Sequence, residues 1–245
     1  MNEQGVATRV TLRIPGCWAD PRELLQRMPA EFVLHPDMLV APDGTEFEFN
    51  PVPPDEEFPS VFQSACCRPL EEDQRVAIAG YTVNICISGP GGSLAAALAM
   101  MQAGAAVVRA GGAGVFIDNS ARAHGGEDWI AMTEDGGSDA ISFAFVSVIR
   151  GREKIYTMGM QVLGFPDLLM RPHLGEEPGE SLVELIRYIC AGGPAVDVGH
   201  VLADEVAPRY QVVARENDQF PPHNVMHNPH GRLKIISIKE ISEGN

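Results

Sequence analysis

The chain has 245 residues, which is enough to bury a substantial core, and its 45% hydrophobic and 21% charged residues are typical of a soluble globular protein. Its 33 acidic and 18 basic residues give a net charge of -15, which argues against nucleic acid or an anionic membrane surface as partner and favours a basic protein. Five cysteines without a C-x-x-C spacing, and a start that is neither basic nor apolar, predict a cytoplasmic protein without a disulfide framework.

The first 70 residues carry the signals of a small α+β unit. Strands are predicted at 6–14, 32–40 and 46–51. Asp20 followed by Pro21 is typical of a helix start, and Pro42-Asp43-Gly44 is typical of a tight turn. Residues 51–75 are rich in proline and acid, so we predict a subdomain at 1–70 and a main domain at 75–245.

The main domain alternates between strand and helix patterns. Strands are predicted at 75–88, 114–118, 210–214 and 233–238, a hairpin at 140–150 and 154–162, and helices at 94–103, 127–133 and 181–191. Ser93 is the predicted N-cap and Gly104 the predicted end of the helix at 94–103. Ser181-Leu182-Val183-Glu184 is a capping box. This order predicts an α+β fold, a largely antiparallel sheet with helices packed on one face. The β-α-β-β order at both ends is also compatible with two similar subdomains.

The helix predicted at 181–191 has a regular apolar face. Its apolar residues follow helical spacing and are Leu182, Leu185, Ile186, Ile189 and Cys190. We expect this face to pack on the sheet.

The densest group of polar side chains follows the strand predicted at 114–118. Its members are Asp118, Asn119, Ser120, His124, Asp128 and Trp129. Side chains at a strand end before a glycine-rich loop often bind ligands, and Ser120 and His124 are residue types that serve as nucleophile and base. We therefore predict a candidate pocket here. The alternative is a self-capped turn with Trp129 as a core anchor, since no G-x-S-x-G elbow is present.

Three other groups carry weaker signals. His223, His227 and His230 have the residue type of zinc ligands, but no cysteine lies near them, so surface histidines are favoured and neither metal nor cofactor is predicted. Arg68 follows Cys66-Cys67, where a cation lowers a thiol pKa, although a structural pair is the default interpretation. The glycine-rich segment 89–93 matches neither the dinucleotide nor the P-loop pattern, so a turn and a helix cap explain it.

Four segments between residues 85 and 240 resemble an uncharacterised bacterial family, domain of unknown function 4261. They are the helix at 94–103, the segment from Asp118 to Trp129, the segment Tyr156-Thr157-Met158-Gly159-Met160-Gln161-Val162-Leu163-Gly164-Phe165-Pro166-Asp167, and the helix at 181–191 with its Gly-Gly-Pro end. The family has no established activity, so the resemblance implies no catalytic residue. It implies an association with bacterial toxin-immunity or conflict systems.

Two hypotheses about function follow. The favoured one is an immunity-like binding protein, not an enzyme, that uses an acidic surface on a basic protein partner. The alternative is a small-molecule hydrolase or transferase with its pocket at Asp118–Trp129. A deep pocket at His124 and Trp129 favours the enzyme, and a flat acidic patch favours the binding protein.

Overall fold

The computed structural model describes residues 8–171, 179–192, 195–203 and 208–238, together with Ile241. In these residues the chain has an α+β fold with two mostly antiparallel sheets. The strands are β1 Arg9–Gly16, β2 Val33–Leu34, β3 Met38–Val40, β4 Glu46–Val52, β5 Val83–Pro90, β6 Gly114–Ile117, β7 Arg122–Gly125, β8 Ser147–Arg150, β9 Ile155–Met158, β10 Asp167–Met170, β11 Val201–Ala203, β12 Pro208–Glu216 and β13 Arg232–Ser237. The helices are α1 Pro21–Arg27, α2 Phe58–Ala65, α3 Glu72–Ala79, α4 Leu94–Arg109, α5 Gly126–Asp135, α6 Ser138–Phe145 and α7 Glu180–Cys190, with a 3-10 helix at Met160–Leu163.

The first sheet has the strand order β2-β3-β4-β5-β1-β6-β7, and its neighbouring strands are antiparallel. Val10, Leu12 and Ile14 of β1 are fully buried on its inner face, as the two-residue period of a strand requires. Strands from both sides of the predicted boundary at 70–75 pair in this sheet. The division into 1–70 and 75–245 stays a prediction.

The second sheet has the order β11-β12-β13-β10-β9-β8, in which β10 and β13 are parallel and the other neighbours are antiparallel. One continuous hydrophobic cluster joins the inner faces of both sheets to helices α4–α7. Helix α7 buries the predicted face in it, with Leu182 at 0% and Leu185 at 6% exposure. None of the helices in the described ranges combines the length and apolar character needed to cross a membrane.

A smaller cluster lies on the opposite face of the first sheet. Phe116 of β6 points away from the main core, and Phe58 and Phe62 of α2 pack against it with ring centroids 5.7 and 6.4 Å away. Ile78 of α3 belongs to the same cluster. Helices α2 and α3 are thereby fixed beside β6 and β7, which carry the polar group predicted from the sequence.

Several local predictions are confirmed because their signals are local. The Asp20 side chain accepts a hydrogen bond from the Arg22 backbone at 2.7 Å, and Ser93 accepts one from Ala96 at 3.1 Å. Gly44 has φ +85 in the turn between β3 and β4. The hairpin predicted at 140–150 and 154–162 is confirmed next to its turn, where β8 pairs with β9, whereas residues 160–162 belong to the 3-10 helix.

Other local predictions are wrong, each for a physical reason. Residues 75–88, predicted as one strand, form the end of helix α3 and then β5. Only Ile78 of α3 is buried, and this does not fit the alternating burial of a strand. The strand predicted at 140–150 begins as helix α6, whose buried Ile141, Ala144 and Phe145 have helical spacing. The capping box is not formed, because the helix begins at Glu180 with Gly179 as its N-cap, and the Ser181 hydroxyl instead accepts a hydrogen bond from Tyr210 at 2.6 Å.

Helix α4 runs five residues beyond its predicted end at Gly104. This glycine lies inside the helix, where a Cβ atom would be 2.9 Å from Nε1 of Trp129. The residue therefore serves close packing of the Trp129 indole against the helix, and not the left-handed end that glycine often provides.

Candidate functional site

The turn after β6 distributes the first three predicted site residues to different environments. Asp118 forms an ion pair with Arg13 at 2.7 Å on the side of the sheet away from the main core. Asn119 is 1% exposed and accepts a hydrogen bond from the Thr11 backbone at 3.0 Å. Ser120 is fully buried, and its hydroxyl has no hydrogen-bond partner in the described part of the chain. Among the described residues no base forms a hydrogen bond with Ser120, so the serine–histidine pair is not formed there.

The other three predicted residues lie around β7 and α5. Trp129 has no exposed surface and donates its indole N–H to the Met101 carbonyl at 3.1 Å, which makes it a core residue. Asp128 forms an ion pair with Arg68 at 2.7 Å. His124 is 2% exposed and lies between Trp129 and a cysteine outside the predicted polar group.

That cysteine is Cys67. We call the group formed by Cys67, Arg68, Arg122 and His124 the thiol site. The Sγ atom of Cys67 lies 3.3 Å from Nδ1 of His124. An isolated parallel bridge between Cys66 and Ala123 brings the two segments together. Residues 57 positions apart in the chain therefore form a thiol–imidazole pair.

The hydrogen bonds of His124 define its tautomer. Nε2 lies 2.9 Å from the Ala144 carbonyl, which accepts only, so Nε2 carries the proton and Nδ1 is free to accept one from the Cys67 thiol. Burial, followed by the charge of Arg122, lowers the pKa of His124 from 6.5 to about 4. The imidazole is therefore neutral at physiological pH.

Two guanidinium groups stack on the same aromatic ring. Arg122 and Arg68 lie 4.7 and 5.1 Å from the centroid of the Phe143 ring. Burial lowers the pKa of Arg122, while the nearby Cys67 raises it. Nε of Arg122 is buried without a hydrogen-bond partner among the described residues, so this cation has an unused donor.

A cavity of about 350 Å³ opens beside Cys67. It is lined by Gln63, Cys66, Cys67, Arg68, Leu70 and Arg75. Cys67 is exposed, whereas the neighbouring Cys66 is partly buried. Burial, with smaller contributions from Cys67 and Asp128, raises the pKa of Cys66 to about 12. Of the two adjacent thiols, Cys67 is therefore the one suited to react.

The predicted histidine cluster lies on the loop between β12 and β13. His223 and His230 are exposed, and His227 is partly buried. In the described ranges no group of three or more His, Cys, Asp or Glu side chains is placed to hold a metal ion.

Comparison of the chain with protein-family models, with curated proteins and with solved structures gave no match. The resemblance to domain of unknown function 4261 stays a prediction. The function must therefore be inferred from the geometry of the site itself.

Proposed function

We propose that the protein is a small-molecule acyl hydrolase or transferase in which Cys67 is the nucleophile and His124 the general base. One observation carries the proposal: Sγ of Cys67 is 3.3 Å from the only unprotonated nitrogen of a neutral imidazole whose other nitrogen is committed to Ala144. A nucleophile, a base and a group that orients the base are the elements of covalent acyl transfer.

The reaction is an acyl transfer that proceeds through a thioester on Cys67. As the Cys67 sulfur attacks the carbonyl carbon of an ester or amide, its proton passes to Nδ1 of His124 and then to the leaving alcohol or amine. The resulting acyl–sulfur bond is broken by water in a hydrolase or by a second nucleophile in a transferase, and the thiol is restored. Arg122 stabilises the developing negative charge with its unused Nε–H, since it already interacts electrostatically with Cys67.

The low pKa of His124 makes it a weak base. Burial and Arg122 disfavour the imidazolium. The protonated state of His124 must therefore be short-lived, and proton transfer to Nδ1 must be coupled to bond formation. The same surroundings keep the base unprotonated down to about pH 4, so acylation should not show the loss near pH 6.5 typical of an ordinary histidine.

The proposal is tested with p-nitrophenyl acetate as an acyl donor, with mass spectrometry locating the acetyl group. We expect acetylation of Cys67 in the unmodified protein, its complete loss in Cys67→Ala, and a rate roughly 100-fold lower in His124→Gln. The glutamine amide can still donate to the Ala144 carbonyl, so His124→Gln removes the base with little change in packing.

Cys17 provides the matched control. It is also exposed, but among the described residues its thiol is hydrogen-bonded to the carbonyls of Ala77 and Gly80 and to no base. Cys17→Ala should leave the acetylation rate of Cys67 unchanged. Equal acetylation of Cys17 and Cys67, or hydrolysis that persists in Cys67→Ala, would overturn the proposal.

Binding of a basic protein is a second candidate function, favoured by a different observation. The segment from residue 43 to residue 57 carries six exposed carboxylates, those of Asp43, Glu46, Glu48, Asp55, Glu56 and Glu57. Only Glu48 among them forms an ion pair in the described part of the chain, with Arg9. A segment with this many exposed carboxylates attracts cationic partners.

Fluorescence anisotropy with a labelled oligolysine peptide tests this second function. Affinity should fall as salt is added, and Glu56→Lys/Glu57→Lys should weaken binding more than the matched reversal Glu127→Lys/Asp135→Lys on helix α5. Equal effects of the two reversals would mean that only net charge matters and that the segment is no specific surface.

A further inference from the structure

A second cavity, of about 330 Å³, lies where the turn after β6 meets the loop between β12 and β13. We call it the junction cavity; its lining includes Arg9, Asn119, Gln161, Pro222, Val225 and His227. Three of the segments that stood out in the sequence therefore meet here: the polar group at 118–129, the segment 156–167 and the histidine loop. The proposed acyl chemistry uses none of these residues.

Gln161 supplies an unsatisfied acceptor to this cavity. Its side chain is 1% exposed, and Nε2 lies 3.4 Å from the carbonyl oxygens of both Asn119 and Met226. Because both carbonyls accept from Nε2, the orientation of the amide is fixed, and Oε1 is the atom left without a hydrogen bond. Oε1 is buried and has no hydrogen-bond partner among the described residues. A buried acceptor without a donor lowers the stability of the fold, and a ligand with an N–H group supplies the missing donor.

His227 supplies a second acceptor. Its Nδ1 lies 2.8 Å from the Phe220 carbonyl and 3.4 Å from Oδ2 of Asp218, so Nδ1 carries the proton. In the tautomer that carries its proton on Nδ1, Nε2 is a hydrogen-bond acceptor, and in the described ranges it has no partner.

A buried network holds these groups in place. Asn228 donates its side-chain N–H to Asp167 at 2.8 Å, and its backbone N–H to Asp218 at 2.9 Å. Asp167 also accepts from Thr157 at 2.8 Å. The histidine loop is thereby tied to β9 and β10, so the acceptors are pre-organised.

The segment 225–226 covers the two amide side chains. Asn119 donates to the Val225 carbonyl at 3.0 Å, and Gln161 makes its long contact with Met226. Val225 is 43% exposed, so this cover faces solvent. Gln161 lines the cavity beside this cover, and His227 is partly exposed.

We propose that the junction cavity is a binding site for a small molecule bearing an amidine or primary amine, whose N–H groups bind Gln161 Oε1 and His227 Nε2. Proline and valine side chains provide apolar walls for the rest of the ligand. Arg9 at the cavity is ion-paired with Glu48 at 2.9 Å, so its charge is compensated, and the acidic protein as a whole favours a cation.

Three compounds of equal shape test the proposal: benzamidine, benzamide and benzoate. Binding is followed by NMR through the side-chain amide of Gln161 and the imidazole protons of His227. We expect benzamidine to bind more tightly than benzamide and to perturb both side chains, with no perturbation by benzoate. Gln161→Met should weaken benzamidine about fivefold, whereas Gln102→Met, at an exposed glutamine of α4, should have no effect.

The outcomes separate cleanly. Benzoate binding as tightly as benzamidine, perturbations that avoid Gln161 and His227, or no binding at millimolar benzamidine would each overturn the proposal. If Gln161→Met does not fold, His227→Phe replaces it, with the same loss expected. Acetylation of Cys67 is measured in the same samples and does not depend on these residues, so the two proposals succeed or fail separately.

Discussion

Replacing Trp129 by alanine is expected to lower the free energy of unfolding by about 3–5 kcal/mol, the range for removal of a large buried aromatic side chain. The indole has no exposed surface and packs edge-on against Phe145 at 5.8 Å. It also fills the space left by Gly104 in α4 and donates to the Met101 carbonyl. The change therefore removes a ring, a hydrogen bond and part of the packing between α4 and α5. Urea denaturation followed by far-UV circular dichroism measures it.

Two variants distinguish these contributions. Trp129→Phe keeps a ring and loses the indole donor, so we expect a loss of about 1–3 kcal/mol. Phe143→Ala removes a ring that is 38% exposed and should cost clearly less than Trp129→Ala. If Trp129→Ala were as mild as Phe143→Ala, the placement of α5 on α4 would be wrong.

His124 and Asp167 are expected to give the protein two opposite pH dependences of stability. The pKa of His124 falls from 6.5 in the unfolded chain to about 4 in the fold, chiefly through burial. Between these values the unfolded chain binds the proton and the folded chain does not. The contribution of His124 is therefore complete above pH 6.5 and is lost as the pH falls towards 4, by about 3 kcal/mol in total.

Asp167 acts in the other direction. Burial raises its pKa from 3.8 to about 7, although hydrogen bonds from Asn228 and Thr157 oppose the rise. Between these values the folded chain holds the proton and the unfolded chain does not. Its contribution is complete below pH 3.8 and is lost as the pH rises towards 7, by about 4 kcal/mol in total.

Single substitutions should separate the two contributions. Between pH 4 and 6.5 they nearly cancel in the unmodified chain. Relative to that chain, Asp167→Asn should lose stability on acidification, because only His124 still titrates, and His124→Gln should gain it. Chemical denaturation at several pH values provides the slopes. Parallel pH profiles for both variants and the unmodified chain would contradict the assignment.

The fold was predictable where a signal and its structural effect lie close together in the chain. Asp20, Ser93 and Gly44 act within three residues of themselves, and the sequence shows each of them. Gly104 could not be interpreted in this way, because its reason is Trp129, a partner 25 positions away that packs against it only in the folded chain. The helix at 138–145 was mistaken for a strand because its short apolar run fits both periods.

The site was predictable only in its parts. Residue type alone singled out His124 and the cation beside Cys67. The pairing of Cys67 with His124 depends on the bridge from Cys66 to Ala123, which no sequence periodicity predicts. The junction cavity depends likewise on the parallel pairing of β10 with β13, which aligns Asp167 with Arg232 and so brings Asn228 beside it. Contacts of this length follow from topology, and not from local pattern.

The position of β13 has a consequence for biosynthesis. It lies between β10 and β12 inside the second sheet, although it is the last strand of the described chain. While the polypeptide is being made, β10 has an open edge until residues 232–237 leave the ribosome, and a nascent chain with an unpaired apolar strand is prone to aggregation. The first sheet is complete once β7 has emerged, about a hundred residues earlier. The growing chain therefore spends part of its synthesis half-folded, a stage at which chaperones have a strand edge to protect.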